Sequence, residues 1–418
     1  MSSCVAELVC VHCQKSYQPT GHDMTCAACG PDDGILEIRF DLVAVRAAWR
    51  KEPLSNRPLN HWRYRELLPL DPAAIPQSWP VGWTPLVDVP RLARELGVGQ
   101  LLLKDEGRNP TASLKDRASS VGVAHAMQQG AKTIACASTG NAATSLSGHA
   151  ALAGLPAVIF VPQNAAAPKL AQLLVYGACV FAVAGSYDRA YRLCSEACAK
   201  FGWYNRNCAI NPVLVEGKKT CGLEIAEQCQ ADVPDWVAVS VGDGCTIAGI
   251  AKGLAEMHAL GVIDRLPRML GVQASGVAPV EYAWQHGELP RAVGGTTIAD
   301  GINVAVPRNW RKAINAIRAS NGTMVCVSDE EMLAALGQMG RHGVFGEPAA
   351  AASVAGVQVA VERGIIGRDE RVLAVVTGSG LKDTVSAMKA AGQPIRIDEP
   401  TLDAVAAGLK KFQERSGK

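Results

Sequence analysis

Aromatic residues are scarce in this chain, 5% of 418 residues, and neither sign of charge predominates. Lys and Arg number 41 against 39 Asp and Glu, a formal +2 that gives no electrostatic reason to expect nucleic acid or an anionic membrane as partner. No stretch approaches the roughly 18 uninterrupted apolar residues of a spanning helix. The run Ala150–Val161 comes nearest and is broken by Gly154 and Pro156. Met1–Cys13 lacks the basic segment and apolar core of a signal peptide. Internal repeats are absent too. With 48% apolar and 19% charged residues, disorder, collagen and coiled coil are excluded. The length suits two lobes with a small appendage.

Cysteine is the abundant exception, at fourteen. A secreted disulfide scaffold would be shorter and denser, so reduced thiols in a soluble, cytoplasmic protein are expected. Four of the cysteines fall as Cys10-x2-Cys13 and Cys26-x2-Cys29. Two such pairs can place four thiolates at the corners of a tetrahedron, the geometry of a closed structural zinc site. A segment this short buries too little surface to fold alone, so metal binding would supply its folding free energy. The alternative is unpaired thiols near a floppy terminus. Cys136, Cys179, Cys198 and Cys326 lie among Ala, Val and Ile and read as small buried hydrophobes.

From about Leu101 onward, short apolar segments alternate with Ala- and Leu-rich helical ones. Strands are expected at Leu101–Lys104, Thr133–Ala137, Ala157–Val161, Cys179–Val183, Trp236–Val241, Met269–Gln273, Thr323–Val327 and Arg371–Val376. Strands apolar throughout and separated by helices predict an α/β fold with parallel sheets covered on both faces. Ligands of such folds sit beyond the carboxyl ends of the strands. Four loops there carry polar chemistry. In Asn109–Arg117, Ser113 suits a helix N-cap, and Lys115 lies in a first turn, where the dipole disfavours a cation. Such a lysine is solvent-facing and indifferent, or held neutral to form a Schiff base. Ser138-Thr139-Gly140-Asn141-Ala142 combines hydroxyls, an amide and free N–H groups, either a carboxylate nest or an ordinary cap. Gly242-Asp243-Gly244-Cys245-Thr246 lets backbone amides approach an anion, a phosphate monoester better than a nucleotide. Thr377-Gly378-Ser379-Gly380 presents a glycine-flanked hydroxyl or a plain turn.

Together these loops resemble the fold-type II pyridoxal-phosphate enzymes, and within them the threonine synthase family. The match runs through both cysteine pairs, Trp62–Pro69, Thr84-Pro85-Leu86, Ser113–Arg117, Ser138–Asn141, Glu216–Thr220 and Thr377–Asp383, in the family's order. The resemblance implies a two-lobed enzyme with an N-terminal zinc ribbon over 1–40. A large cofactor-binding domain would take 41–118 and 215–418, and a smaller mobile domain 119–214. Lys115 would form the internal aldimine with pyridoxal phosphate, and Asn141 would bond the ring hydroxyl. Ser138, Thr139, Asn141 and Lys169 would hold an amino-acid substrate. Gly242, Asp243, Gly244, Cys245 and Thr246 would cradle the phosphate, and Thr377 would face the pyridine nitrogen. A homodimer is the family's habit. A neutral hydroxyl at that nitrogen makes a weaker electron sink, which suits elimination and replacement at Cβ or Cγ.

Departures bear on the substrate. Leu114 replaces an aromatic residue, and Asp243, Cys245 and Thr246 alter the phosphate loop. Leu214 stands where the family places an arginine, and Thr297–Ile302 looks more like a serine/threonine dehydratase. Threonine synthase is therefore the nearest activity, with a hydroxyamino-acid dehydratase (ammonia-lyase) or a β-replacement synthase as rivals. A non-catalytic, zinc-anchored interaction protein is the reading from another class; an intact Lys115, Asn141 and Thr377 argue against it.

Overall fold

Strand order explains where the site lies. The computed structural model describes residues 4–19, 24–75, 80–163, 167–185, 187–291 and 293–416. Their strands form three sheets. The first is antiparallel and small, with Val5–Cys10 between Ser16–Tyr17 and Leu36–Phe40. The second has six strands, in the order Thr323–Val327, Arg268–Ala274, Trp236–Ser240, Arg371–Val376, Gln100–Asp105 and Leu86–Asp88. All run parallel except the last, an antiparallel edge. The third holds Cys179–Val183, Ala157–Pro162, Ile134–Ala137 and Tyr204–Asn205, all parallel.

All eight expected strands form, and the α/β class with parallel sheets holds. Two short strands, Leu86–Asp88 and Tyr204–Asn205, lie below the length at which an apolar run is recognisable. One expectation of burial fails. Cys179–Val183 is an edge strand of the small sheet, and Phe181 is 47% exposed there. Cys179 is accordingly exposed and Cys326 half-buried, whereas Cys136 and Cys198 are core residues.

In the large sheet Trp236–Ser240, Arg371–Val376 and Gln100–Asp105 are immediate neighbours. Their C-terminal loops therefore converge, as the switch-point rule for open sheets requires. Beneath them the helices Lys115–Gln128, Val213–Gln228 and Cys245–Leu260 pack backbone to backbone. The contact is made by Gly217, whose missing side chain leaves room for the carbonyl of Arg117, and by Gly222, which does the same for Ile250. A single methyl at either position would separate the helices. Glycine's cost inside a helix is offset by the packing it permits.

The N-terminal sheet docks on the large lobe through buried lysines. Lys312 Nζ donates to the Leu36 carbonyl at 2.6 Å, and Lys252 Nζ to that of Ile38. Among the described residues no helix is long and apolar enough to cross a membrane.

Candidate active site

Lys115 is the first residue of its helix, and the chain before it is clamped to the last strand's loop. The Leu114 N–H donates to the Thr377 carbonyl at 2.8 Å, and the Ser379 N–H to that of Ala112 at 3.0 Å. Ser113 does not cap the helix: Leu114 holds that position, and the buried Ser113 hydroxyl has no partner among the described residues. Pairing with Thr377–Ser379 fixes the loop and has displaced the local capping geometry. Asp116 accepts from Thr111 N at 2.7 Å, Ser145 Oγ at 2.8 Å and His149 Nε2 at 3.2 Å. It thereby ties the first loop to the helix Asn141–Ala153.

The Lys115 amine is pushed down to about 8, first by burial, then by the nearby Lys218 ammonium; Arg206 adds to this, and Glu347 and Cys208 oppose it. A substantial fraction is neutral near physiological pH, the form that attacks an aldehyde.

The head of the helix Asn141–Ala153 has unused donors. Gly140 N–H bonds the Ser138 hydroxyl at 3.2 Å, but the N–H groups of Thr139, Asn141 and Ala142 have no acceptor among the described residues. The Asn141 amide donates to both carboxylate oxygens of Glu347, at 2.9 and 3.0 Å. Glu347 is raised above the usual carboxylate range, chiefly by burial, although Asn141 and Lys115 pull it down. This glutamate was missed in the sequence. Its only sign there was a Glu-Pro pair heading an alanine-rich run, now the buried helix Pro348–Glu362.

The glycine loop is a cradle of orphaned donors. No acceptor takes the backbone N–H of Gly242, Asp243, Gly244, Cys245, Thr246 or Ile247 among the described residues. Gly244 sits at φ +96°, and a side chain there would meet the Asn309 carbonyl at 2.6 Å. The Asp243 carboxylate is turned away, accepting from Arg308 N at 2.9 Å and Asn309 Nδ2 at 2.8 Å. Thr377 is buried at the next strand end, and its hydroxyl has no partner among the described residues.

Leu214 is fully buried against Gly122, so no cation stands at that position. Two others face Lys115 instead. Among the described residues the guanidinium of Arg206, 1% exposed, bonds only the Ser119 hydroxyl, at 3.3 and 2.8 Å, and Lys218, 3% exposed, bonds the Cys208 sulfur at 2.9 Å. Neither has a carboxylate partner among the described residues. Lys169 lies in the helix Ala167–Val175, but its side chain falls outside the described residues.

The donor set fits pyridoxal phosphate: a partly neutral lysine, a polar strand end and six free amides at a helix head, where an anion is favoured. A family model described as "Pyridoxal-phosphate dependent enzyme" matches residues 78–378. The chain belongs to that family. Curated threonine synthases of Methanosarcina acetivorans and Methanocaldococcus jannaschii are each 39% identical to it, over 96% and 93% of this chain and 98% and 96% of theirs. Among solved structures, threonine deaminase isoform 2 of Solanum lycopersicum superposes with a TM-score of 0.64 at 23% identity, covering 73% of this chain and 86% of that one. Diaminopropionate ammonia lyase of Escherichia coli gives 0.64 at 18%, covering 74% and 87%. These neighbours share the fold. The protein is a pyridoxal-phosphate-dependent lyase similar to threonine synthases.

Away from this site, the sulfurs of Cys10, Cys13, Cys26 and Cys29 all lie within 4.8 Å of one another. Cys10–Cys29 is 3.9 Å and Cys13–Cys26 is 3.7 Å, and the Tyr17 hydroxyl donates to Cys26 at 3.0 Å. A tetrahedron with metal–sulfur bonds near 2.3 Å has edges of about 3.8 Å, so the cluster fits a zinc ion.

Proposed function

We propose that the protein converts O-phosphohomoserine to threonine and phosphate. The observation that carries this reading is the pair of buried cations near Lys115, Arg206 and Lys218, neither bonded to a carboxylate among the described residues. The Cys208 sulfur answers one of these charges and the cofactor's phosphate has its own cradle at 242–247, so a further anion is needed to compensate the other. A phosphorylated substrate supplies it; serine or threonine does not.

Pyridoxal phosphate, when bound, supplies the electron sink that stabilises negative charge next to the substrate's amino group. Lys115 Nζ holds the cofactor and then carries the proton to and from the substrate Cα. The amides of 242–247 would hold the cofactor's phosphate, the Thr377 hydroxyl would serve its ring nitrogen and Asn141 its ring oxygen. Ser138, Thr139, Asn141 and the free N–H groups beside them bind the substrate carboxylate, with Lys169 a further cation for it. Glu347, kept protonated to higher pH than an exposed carboxyl, orients Asn141 and can lend its proton. The domain limits are 1–40 for a zinc ribbon, 41–118 with 215–418 for the cofactor lobe, and 119–214 for a lobe that closes on substrate and excludes water. Zinc in the four-cysteine cluster is structural, because four thiolates leave no open position. A cytoplasmic homodimer is the expected setting.

Dehydration of serine or threonine with loss of ammonia is the second reading, favoured by Leu214, which removes one cation from the pocket. Incubation of the holoenzyme with O-phosphohomoserine, threonine, serine and β-substituted alanines, assaying phosphate, ammonia and keto acid separately, decides. Phosphate together with threonine supports the synthase; ammonia and keto acid without phosphate turnover reject it.

A further inference from the structure

The cofactor loop contains a thiol that the chemistry above does not use. Cys245 opens the helix Cys245–Leu260, and its sulfur lies 3.0 Å from Asp243 Oδ2 and 3.5 Å from the Cys208 carbonyl. The sulfur of that neighbouring Cys208 is 2.9 Å from Lys218 Nζ. Two sulfurs, an ammonium and a carboxylate thus converge within one hydrogen-bonded group. The other cysteines away from the N-terminal cluster lack this combination among the described residues.

We propose that Cys208 and Cys245 form a peroxide-reactive dithiol, closing to a disulfide that disables the cofactor loop. Cys208 is the attacking sulfur. The adjoining Cys245 thiol, with the charges of Lys218, 2.9 Å away, and Arg206, holds it well below the usual thiol range despite burial. The thiolate, not the thiol, is the nucleophile. It attacks one oxygen of hydrogen peroxide. The O–O bond breaks, the other oxygen leaves as hydroxide and takes a proton to become water, and Cys208 becomes a sulfenic acid. Cys245 then attacks that sulfur after giving its proton to Asp243. The S–S bond forms, the S–O bond breaks, and the departing hydroxide recovers the proton as a second water. In sum, two thiols and one peroxide give one disulfide and two waters, a two-electron oxidation of sulfur.

Closing the bond brings the sulfurs to about 2.05 Å. Cys245 must leave Asp243, and Asp243 is what fixes the loop to Arg308 N and Asn309. Lys218 also loses its anionic partner beside Lys115. The disulfide is independent of the proposed substrate; only its effect on cofactor retention rests on the loop being the phosphate cradle.

The test treats holoenzyme with stoichiometric hydrogen peroxide and maps thiols by mass spectrometry without reduction, following the cofactor by its visible absorbance. A peptide linking Cys208 to Cys245 should appear before oxidation of the exposed Cys179, and a thiol reductant should reverse it. With Cys245→Ser, Cys208 should stop at a sulfenic acid trappable by a cyclic 1,3-dione. With Cys208→Ser, Cys245 should stay reduced. Oxidation of Cys179 while Cys208 remains a thiol overturns the proposal, as does peroxide oxidation of Cys245 in the Cys208→Ser variant. A linked protein that keeps its cofactor rejects the cradle reading and leaves the dithiol standing.

Discussion

The Asn141 amide, at the head of a helix on the small sheet, donates to both oxygens of Glu347, which precedes a core helix of the large one. The contact joins the two lobes across the cleft beside Lys115. The Glu347 N–H also donates to the Gly378 carbonyl at 3.0 Å, so the carboxyl is held by the same loop that pins the lysine's segment.

Glu347→Gln keeps one acceptor for Asn141 and removes the transferable proton. A general acid contributes on the order of 10²-fold or more, so kcat should fall about a hundredfold with KM and cofactor absorbance nearly unchanged. Equal turnover in the variant would leave the carboxyl without a chemical part. The stability effect has a definite sign. With its folded pKa raised, Glu347 gives a contribution present below the unfolded value and lost as pH rises through the folded one. The Gln variant's apoprotein should match wild type near pH 4 and melt higher at alkaline pH, a comparison made by calorimetry.

Lys115→Ala should leave the purified protein colourless and reduce turnover by at least about a thousandfold, since it removes the group proposed to carry cofactor and proton. The pH behaviour follows from an amine lowered from 10.5 to about 8. Between about 8 and 10.5 the unfolded chain binds the proton and the folded one does not, so apoprotein stability rises with pH across that window. Lys115→Met removes the cost of protonating a buried amine. Its apoprotein should melt above wild type at pH 7, with the gap narrowing toward pH 10. A constant gap would mean the shift is absent.

Much of this was legible in the sequence because strands and glycine loops are local. The eight principal strands and the loops at Lys115, Asn141, Gly242 and Thr377 come from contiguous patterns. What was not legible depends on pairings between distant segments. Cys208 and Lys218 meet across a loop and a helix, and Glu347 reaches Asn141 from over two hundred positions away. Ser113 looked like a cap because its neighbours in sequence suggested one; tertiary pairing with the Thr377 loop decided otherwise. Edge exposure at Phe181 likewise depends on where a sheet ends, which a run of apolar letters does not encode.

Arg206→Met should raise KM for O-phosphohomoserine roughly tenfold to a hundredfold, the loss expected for a hydrogen bond to a charged group, while cofactor affinity changes little. Lys218→Met should do the same and also raise the pH at which Cys208 reacts with iodoacetamide, because its ammonium stabilises the thiolate. Inorganic phosphate should compete with substrate in wild type and lose potency in both variants. Unchanged KM in both would mean that the anion they compensate is not the substrate's.

Removal of the metal proposed for the four-cysteine cluster should loosen the cofactor although the cluster lies outside the cleft. The segment 308–312 lies between them. On one side Arg308 pairs with Asp32 at 2.9 Å, Arg311 with Asp33 at 2.6 Å, and Lys312 holds the Leu36 carbonyl. On the other, Arg308 N and the Asn309 amide fix the Asp243 carboxylate within the glycine loop. In both ion pairs the aspartate is exposed to solvent, so each contributes about 1 kcal/mol or less, and the buried Lys312 contact is the main link. Chelation, or Cys13→Ser, should therefore raise the cofactor dissociation constant severalfold at a temperature where circular dichroism shows the large lobe still folded. Asn309→Ala should produce the same change with the metal still in place. If the metal-free protein holds its cofactor as tightly as before, the N-terminal module acts on stability alone and the 308–312 bridge transmits nothing to the loop.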